Sequence, residues 1–382
     1  MPAEWESHER CIMAWPTELR VGSVWGEQFL LAKASYAAVA HAIRQFEPVL
    51  MLARPGEGEV ARSYCGSDVD VVEMPIDDSW LRDSGPIFVT RPDGTRAITD
   101  FVFNSWGGKY LPFDNDAAIG QSLARHFGIE RFAAPMVLEG GSITVDGEGT
   151  LITTESCLLH PSRNPGLTQD EMTQTLKDYL GVTKVIWLKS GLGLDEDPDT
   201  DGHVDGVAAF VGSGRVLLHM VRDPQHPDYE NLLENRRRLE TTDAVGRELE
   251  IVELDLRSRP VVVGDTPIVE TYINSYFANG ALVVPTVGTG GDEAALERLR
   301  EIVPDRRVVG VACPVIGYGG GGIHCITQQV PSRLLKYASS QAHREPSAGR
   351  PPRPREPATV PGRRPGGRGC AAMNNCSRGS SA

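Results

Sequence analysis

Four times along this chain, two β-rich runs flank a glycine turn and lead into a helix pattern and one more apolar strand. The hairpins read PIFVTRPDGTRAITDF (86–101), SITVDGEGTLITT (142–154), VAAFVGSGRVLLHM (207–220) and YINSYFANGALVVPT (272–286). Asp-Gly, Gly-Ser-Gly or Asn-Gly between such runs marks a tight antiparallel turn. Apolar residues then recur at helical spacing over 115–127, 168–180, 228–242 and 292–302, several opening on an Asn, Thr or Asp suited to N-capping. PMVLEGG, TKVIWLKS, LEIVELD and RRVVGVACPVI close the units. CIMAWP, a helix over 24–46 and VLMLARP supply a fifth, incomplete version, which HCITQQVP (324–331) is left to complete. Repetition on this scale predicts an α/β domain of five strand–strand–helix–strand units set radially, a five-bladed pseudo-symmetric α/β propeller closed by its last strand. A doubly wound sheet competes, but its parallel strands need crossovers rather than glycine-turn hairpins.

This domain is expected over 1–335. Residues 336–382 carry nine Lys/Arg and two Glu, a net of +7, so the total of −13 leaves −20 for the body. That tail is rich in Pro, Arg, Gly and Ser. It cannot offset its ordering entropy by burial, and a disordered basic extension is expected. An acidic body repels nucleic acid and attracts small cations. No apolar run approaches a membrane span and MPAEWESHER does not read as a signal peptide, so a cytoplasmic protein is expected. The seven cysteines are scattered without a CxxC pair, which argues against a disulfide framework or a zinc ribbon.

Four local signals carry polar chemistry: DDSWLRDSGP (77–86), LEGGS (138–142), DEDPDTDGHVDG (195–206) and YGGGGIHCITQQVP (318–331). Each lies at the entrance or exit of a repeat strand, so a radial fold can bring all four to one central pocket. Cys325 is a candidate nucleophile, since a thiolate attacks carbon well; a buried structural cysteine is the plainer alternative. His203 is a candidate proton carrier near neutral pH. With Asp205 it also makes an HxD pair that zinc could use, but zinc needs three or four ligands and no cluster spaced for it is visible. Asp83 and Asp205 suit the planar fork of a guanidinium, although Asp83 can equally pair with Arg82. The acidic loop 195–201 either holds a cation or is a solvated surface. Cys11, Cys65, Cys157 and Cys313 read as structural. The glycine run is no phosphate loop, because no GKS or GKT follows.

Taken in order, MPAEWESHE, WLRDSGP, NSWGGKY (104–110), LEGGS, TDGHVD (200–205) and GGGGIHCITQQVP resemble agmatine deiminase, within the bacterial and plant peptidylarginine-deiminase-like group. The resemblance covers nearly all of 1–335 and implies the five-bladed α/β propeller of the guanidino-group-modifying (pentein) enzymes. It implies Cys325 as nucleophile, His203 as general acid/base, Asp83 and Asp205 as the carboxylates gripping the guanidinium, and Glu139 as support for the histidine and substrate. Trp80 and Gly322 fall among the substrate-binding positions. Agmatine would be hydrolysed to N-carbamoylputrescine and ammonia through a Cys amidino-thioether, with no metal or cofactor, in a homo-oligomer. Gly206 stands where the family leads one to expect Asn, and DEDPDTDG is more acidic than the usual segment. Arginine or peptidyl-arginine deimination, amidino transfer to an amine, and a non-catalytic propeller scaffold are the competing readings.

Overall fold

Each hairpin forms and takes a third strand alongside its middle one. The computed structural model describes residues 1–193, 200–256, 261–268, 271–288 and 290–333. The basic tail and most of the acidic loop 195–201 lie outside the described residues. Ile87–Thr90 pairs antiparallel with Arg96–Val102, and Glu130–Val137 returns parallel to the latter. Ile143–Val145, Thr150–Thr154 and Lys184–Leu188 repeat the arrangement. So do Ala208–Gly212, Arg215–Met220 and Glu250–Asp255, and again Tyr276–Ala278, Ala281–Thr286 and Arg307–Ala312.

The fifth sheet joins the two ends of the domain. Thr327–Pro331 pairs antiparallel with His8–Ala14, Met13 opposite Thr327 and Cys11 opposite Gln329. Val49–Ala53 lies parallel on the other side. The pairing expected between HCITQQVP and the first unit is thus present. Asp70–Glu73 adds a fourth strand to this sheet that the sequence pattern does not announce. Among the described residues the fold is mixed α/β, with five such sheets and a two-stranded ribbon, Val261–Val263 with Thr266–Ile268. Met1–Leu335 cluster as one compact unit.

The helices follow their patterns with several shifts, and the one expected over 115–127 forms as two pieces, Asp114–Ala117 and Ile119–Phe127. Gln169–Leu180 begins at a complete capping box, Thr168 with Glu171. The helix expected over 24–46 starts only at Phe29 and runs to Arg44, because residues before it wind into short tight turns and Gly26 takes φ 50°. The helix expected over 228–242 is Tyr229–Leu239. Asp292, expected to cap, lies inside Gly291–Ile302; its carboxylate accepts from Gly288 N at 2.8 Å and Tyr272 Oη at 3.0 Å.

Burial explains why middle strands such as Val49–Ala53 and Ala281–Thr286 read as nearly continuous apolar runs. Val49–Ala53, Thr150–Thr154 and Ala281–Thr286 are buried at every residue, covered on both faces. The outer strand Glu250–Asp255 alternates instead. Hairpin turns need glycine where φ is positive: Gly147 at 73° and Gly280 at 78°.

Candidate active site

The polar residues collect at the points where the five sheets begin. Asp83 sits in the short turn Leu81–Ser84, just ahead of Ile87–Thr90. Glu139 precedes the turn Gly140–Ser142 and the strand Ile143–Val145. His203 precedes, and Asp205 lies within, the turn Val204–Gly206 that enters Ala208–Gly212. Cys325 enters Thr327–Pro331. The remaining sheet obeys the same rule: Asn274, just before Tyr276–Ala278, donates Nδ2 to Cys325 Sγ at 3.2 Å. Its Oδ1 accepts from His324 N at 3.0 Å, which fixes the amide's orientation.

All the predicted polar residues come together in a dry cluster. Asp83, Glu139, His203, Asp205 and Cys325 are each 6% exposed or less. Asp83 Oδ1 accepts from Gly141 N and Oδ2 from Trp106 Nε1, both at 3.0 Å. Arg82 does not pair with Asp83; it reaches Glu4 at 3.2 Å instead. His203 lies between two carboxylates, Nδ1 3.8 Å from Asp83 Oδ1 and Nε2 3.5 Å from Glu139 Oε2. Glu139 Oε1 accepts from Arg163 Nε at 2.7 Å, and Arg163 Nη1 reaches Asp201 at 2.7 Å. Of the acidic loop, Asp201 therefore holds an arginine of the protein itself. Cys157, read as structural, is buried against this cluster, its Sγ 3.8 Å from Glu139 Oε2.

A second chain of bonds supports Asp205. Its Oδ2 is 2.8 Å from His324 Nδ1 and 3.6 Å from Cys325 Sγ. His324 Nε2 in turn faces Glu4 at 2.9 Å. Burial and Arg82 work against charge on His324, but Glu4 and Asp205 prevail and raise its pKa. Burial likewise opposes ionisation of Asp205, yet the bond from His324 and the nearby His203 hold it below the usual carboxylate range. Asp83 differs: burial, then Asp205 and Glu139, outweigh His203 and push it up to about 6. His203 is raised despite its burial, chiefly by Asp83, and rests as an imidazolium. The Cys325 thiol is pushed well up by burial and then by Asp205 and Asp83, against the Gly322 N–H and Asn274, so it rests protonated.

The glycine-rich motifs are explained by close approach. A methyl group on Gly141 would lie 2.6 Å from His203 Nδ1, 2.8 Å from Asp83 Oδ1 and 2.9 Å from Asp205 Oδ2. One on Gly321 would lie 2.5 Å from Trp80 and 3.1 Å from Cys325 Sγ, and one on Gly322 would meet Asn274 Oδ1 at 2.4 Å. Trp80 is therefore beside the thiol, stacked on Trp25 with ring centroids 5.7 Å apart. In NSWGGKY, Ser105 and Trp106 hold φ of 55° and 52°, a left-handed conformation that costs side-chain-bearing residues about 1–3 kcal/mol each. Asn104 Oδ1, accepting from Gly107 N at 2.9 Å, braces the turn, and the strain aims the Trp106 indole at Asp83.

Spacing did not reveal Asn274, Glu4, His324, Trp106, Arg163 or Gly141. Asn274 had one available signal, since it occupies in the last repeat the position that Asp83 and Asp205 occupy in theirs.

A mixed α/β protein that sets a buried thiol and an imidazolium among carboxylates is built for thiol chemistry on a small cation. The chain belongs to the Porphyromonas-type peptidyl-arginine deiminase family, whose profile matches residues 1–331. A Streptomyces coelicolor protein provisionally named an agmatine deiminase is 43% identical over 342 residues, covering 87% of this chain and 98% of that one. The solved agmatine deiminase of Enterococcus faecalis superposes with a TM-score of 0.82 at 35% identity, covering 87% of this chain and 96% of that one. A substrate-bound agmatine deiminase of C. Jejuni gives 0.78 at 28%, with 87% and 96% covered. Among the described residues no helix is long and apolar enough to cross a membrane.

Proposed function

We propose that this protein hydrolyses agmatine to N-carbamoylputrescine and ammonia, with Cys325 as nucleophile and His203 as proton carrier. The observation that carries the reading is the convergence of Asp83, His203 and Asp205 within 2.9 Å of the missing Gly141 side chain. Cys325 Sγ lies 3.6 Å from Asp205 on the same side. A guanidinium bound there offers N–H groups to both carboxylates, in the paired geometry that planar cation favours. Its carbon then faces the thiol.

The electrostatics give an order of events. The two carboxylates that hold the thiol protonated are the ones a guanidinium neutralises. Docking therefore lowers the thiol pKa, and the thiolate forms when substrate is present, its proton passing to solvent. Asn274 Nδ2 and the Gly322 N–H steady the charge. Sulfur attacks the guanidinium carbon, and His203 protonates the departing nitrogen, which leaves as ammonia. The neutral imidazole then takes a proton from water, whose oxygen attacks the amidino-thioether and releases the ureido product and the thiolate. Trp80 closes the site beside the sulfur, and Glu139 orients His203.

We read the five sheets as blades of one radial domain over 1–335, since each supplies the entry of its first strand to one site. The substrate choice rests on the agmatine deiminases to which the chain is similar. Release of ammonia and ureido product from agmatine and from free arginine tests it, with Cys325→Ala as the control. Product from agmatine alone, absent in the variant, is expected; product mainly from arginine keeps the chemistry and overturns the substrate.

A further inference from the structure

The cluster that orients His203 has the dimensions of a metal site. Glu139, Cys157 and His203 each present a ligand atom, and these atoms lie within 4.8 Å of one another. His203 Nε2 is 3.5 Å from Glu139 Oε2, and Cys157 Sγ is 3.8 Å from the same oxygen. A charge-assisted histidine–carboxylate hydrogen bond would be about 2.7–2.9 Å. Neither ring nitrogen of His203 makes a hydrogen bond of ordinary length, although the residue is only 4% exposed. With ordinary zinc bond lengths, the edges of a tetrahedron are roughly 3.4 Å between nitrogen and oxygen and roughly 3.6 Å between sulfur and oxygen. The observed gaps exceed these by a few tenths of an ångström at most.

The surrounding groups match what a bound metal requires. A ligating imidazole usually directs its other nitrogen at a carboxylate, and His203 Nδ1 faces Asp83 Oδ1 at 3.8 Å. A ligating carboxylate is usually anchored through its second oxygen, and Glu139 Oε1 accepts from Arg163 at 2.7 Å. One thiolate, one imidazole and one carboxylate select a borderline-soft divalent ion over magnesium or calcium. Glu139 and Cys157 flank one hairpin and His203 stands at the entry to the next, so no zinc spacing appears in the sequence.

We infer that Glu139, Cys157 and His203 form an inhibitory site for zinc or a similar divalent transition metal, distinct from the nucleophile Cys325. Binding replaces the His203 Nε2 proton and the Cys157 thiol proton with bonds to the metal, and both protons pass to solvent. The fourth position is left to water. Inhibition rests on the reading of His203 as the proton carrier; binding itself does not.

Cobalt(II) serves as the spectroscopic probe, in the full chain with Cys370 and Cys376 changed to Ser so that tail thiols stay silent. Added Co²⁺ should give a thiolate-to-cobalt charge-transfer band in this protein and in its Cys325→Ser variant. Cys157→Ser should abolish the band and weaken Zn²⁺ binding by at least the roughly 10–100-fold that loss of an outer partner costs. Glu139→Gln, which keeps both thiols, should weaken Zn²⁺ binding while retaining a band, and it serves if Cys157→Ser does not fold. A band lost in Cys325→Ser but kept in Cys157→Ser would place the metal on the nucleophile and overturn the inference. So would the absence of any band. Zn²⁺ should also suppress agmatine turnover, restored by a chelator. A charge-transfer band without inhibition would instead refute the role given to His203.

Discussion

Glu4 lies far from the other site residues in sequence, and its replacement by Gln isolates what the second bonding chain contributes. Its carboxylate faces His324 Nε2 at 2.9 Å and Arg82 Nη1 at 3.2 Å, and its side chain is 13% exposed. Burial raises its pKa, but the cations at His324 and Arg82 overcome that and lower it from 4.5 to about 2. A displacement of about 2.5 units corresponds to about 3.4 kcal/mol. Gln keeps the shape and one acceptor oxygen, so a loss of about 2 kcal/mol is expected at pH 7. For a domain of this size that lowers Tm by roughly 3 °C. Because the folded pKa is depressed, the contribution is complete above the unfolded value of 4.5 and fades as pH falls through about 2. The difference between wild type and Glu4→Gln should therefore stay constant from pH 8 to about 5.5. By pH 3.5 it should shrink by about 1.4 kcal/mol, roughly two-thirds of its neutral value. Differential scanning fluorimetry across that range measures it. Equal Tm values at neutral pH, or a gap that widens on acidification, would refute the argument.

Gly141→Ala places a methyl group within 2.9 Å of Asp83, His203 and Asp205, so kcat/KM for agmatine should fall by at least 10²-fold or so, with some loss of Tm from overpacking; an active variant would show that substrate does not occupy that point. Cys325→Ser should abolish turnover and still bind agmatine by calorimetry, and retained turnover would remove Cys325 from the mechanism. In enzyme freed of metal by chelation, kcat/KM should fall as pH drops through about 6, where Asp83 takes up a proton and no longer pairs with the guanidinium. A profile flat down to pH 5 would show that Asp83 stays ionised by some other means.

The repeated sheets were legible because their signals are local. An Asp-Gly or Asn-Gly turn, an alternation of apolar residues and a Thr168–Glu171 capping box each act over a few residues, and each forms where the sequence places it. The helix that starts late, at Phe29, shows the limit of such signals. Its periodicity extends further toward the N-terminus, but Gly26 and the turns before it follow contacts such as Arg20 with Asp78 at 2.8 Å.

The candidate site divides in the same way. Cys325, His203, Asp83, Asp205 and Glu139 stood out because reactive side chains sit beside glycines at strand entries, a pattern that one stretch of chain can display. Asn274, Glu4, Trp106 and Cys157 sit in ordinary sequence. What matters about them is a distance to residues 51, 320, 23 and 18 positions away, respectively. The same holds for charge state. Composition set the acidic excess, but only packing made Asp83 a weak acid and kept Asp205 ionised, because burial and the placement of His324 act through space. Residue types and turns decided which chemistry this chain can carry; the tertiary fold decided which groups meet, how dry they are and where their protons rest.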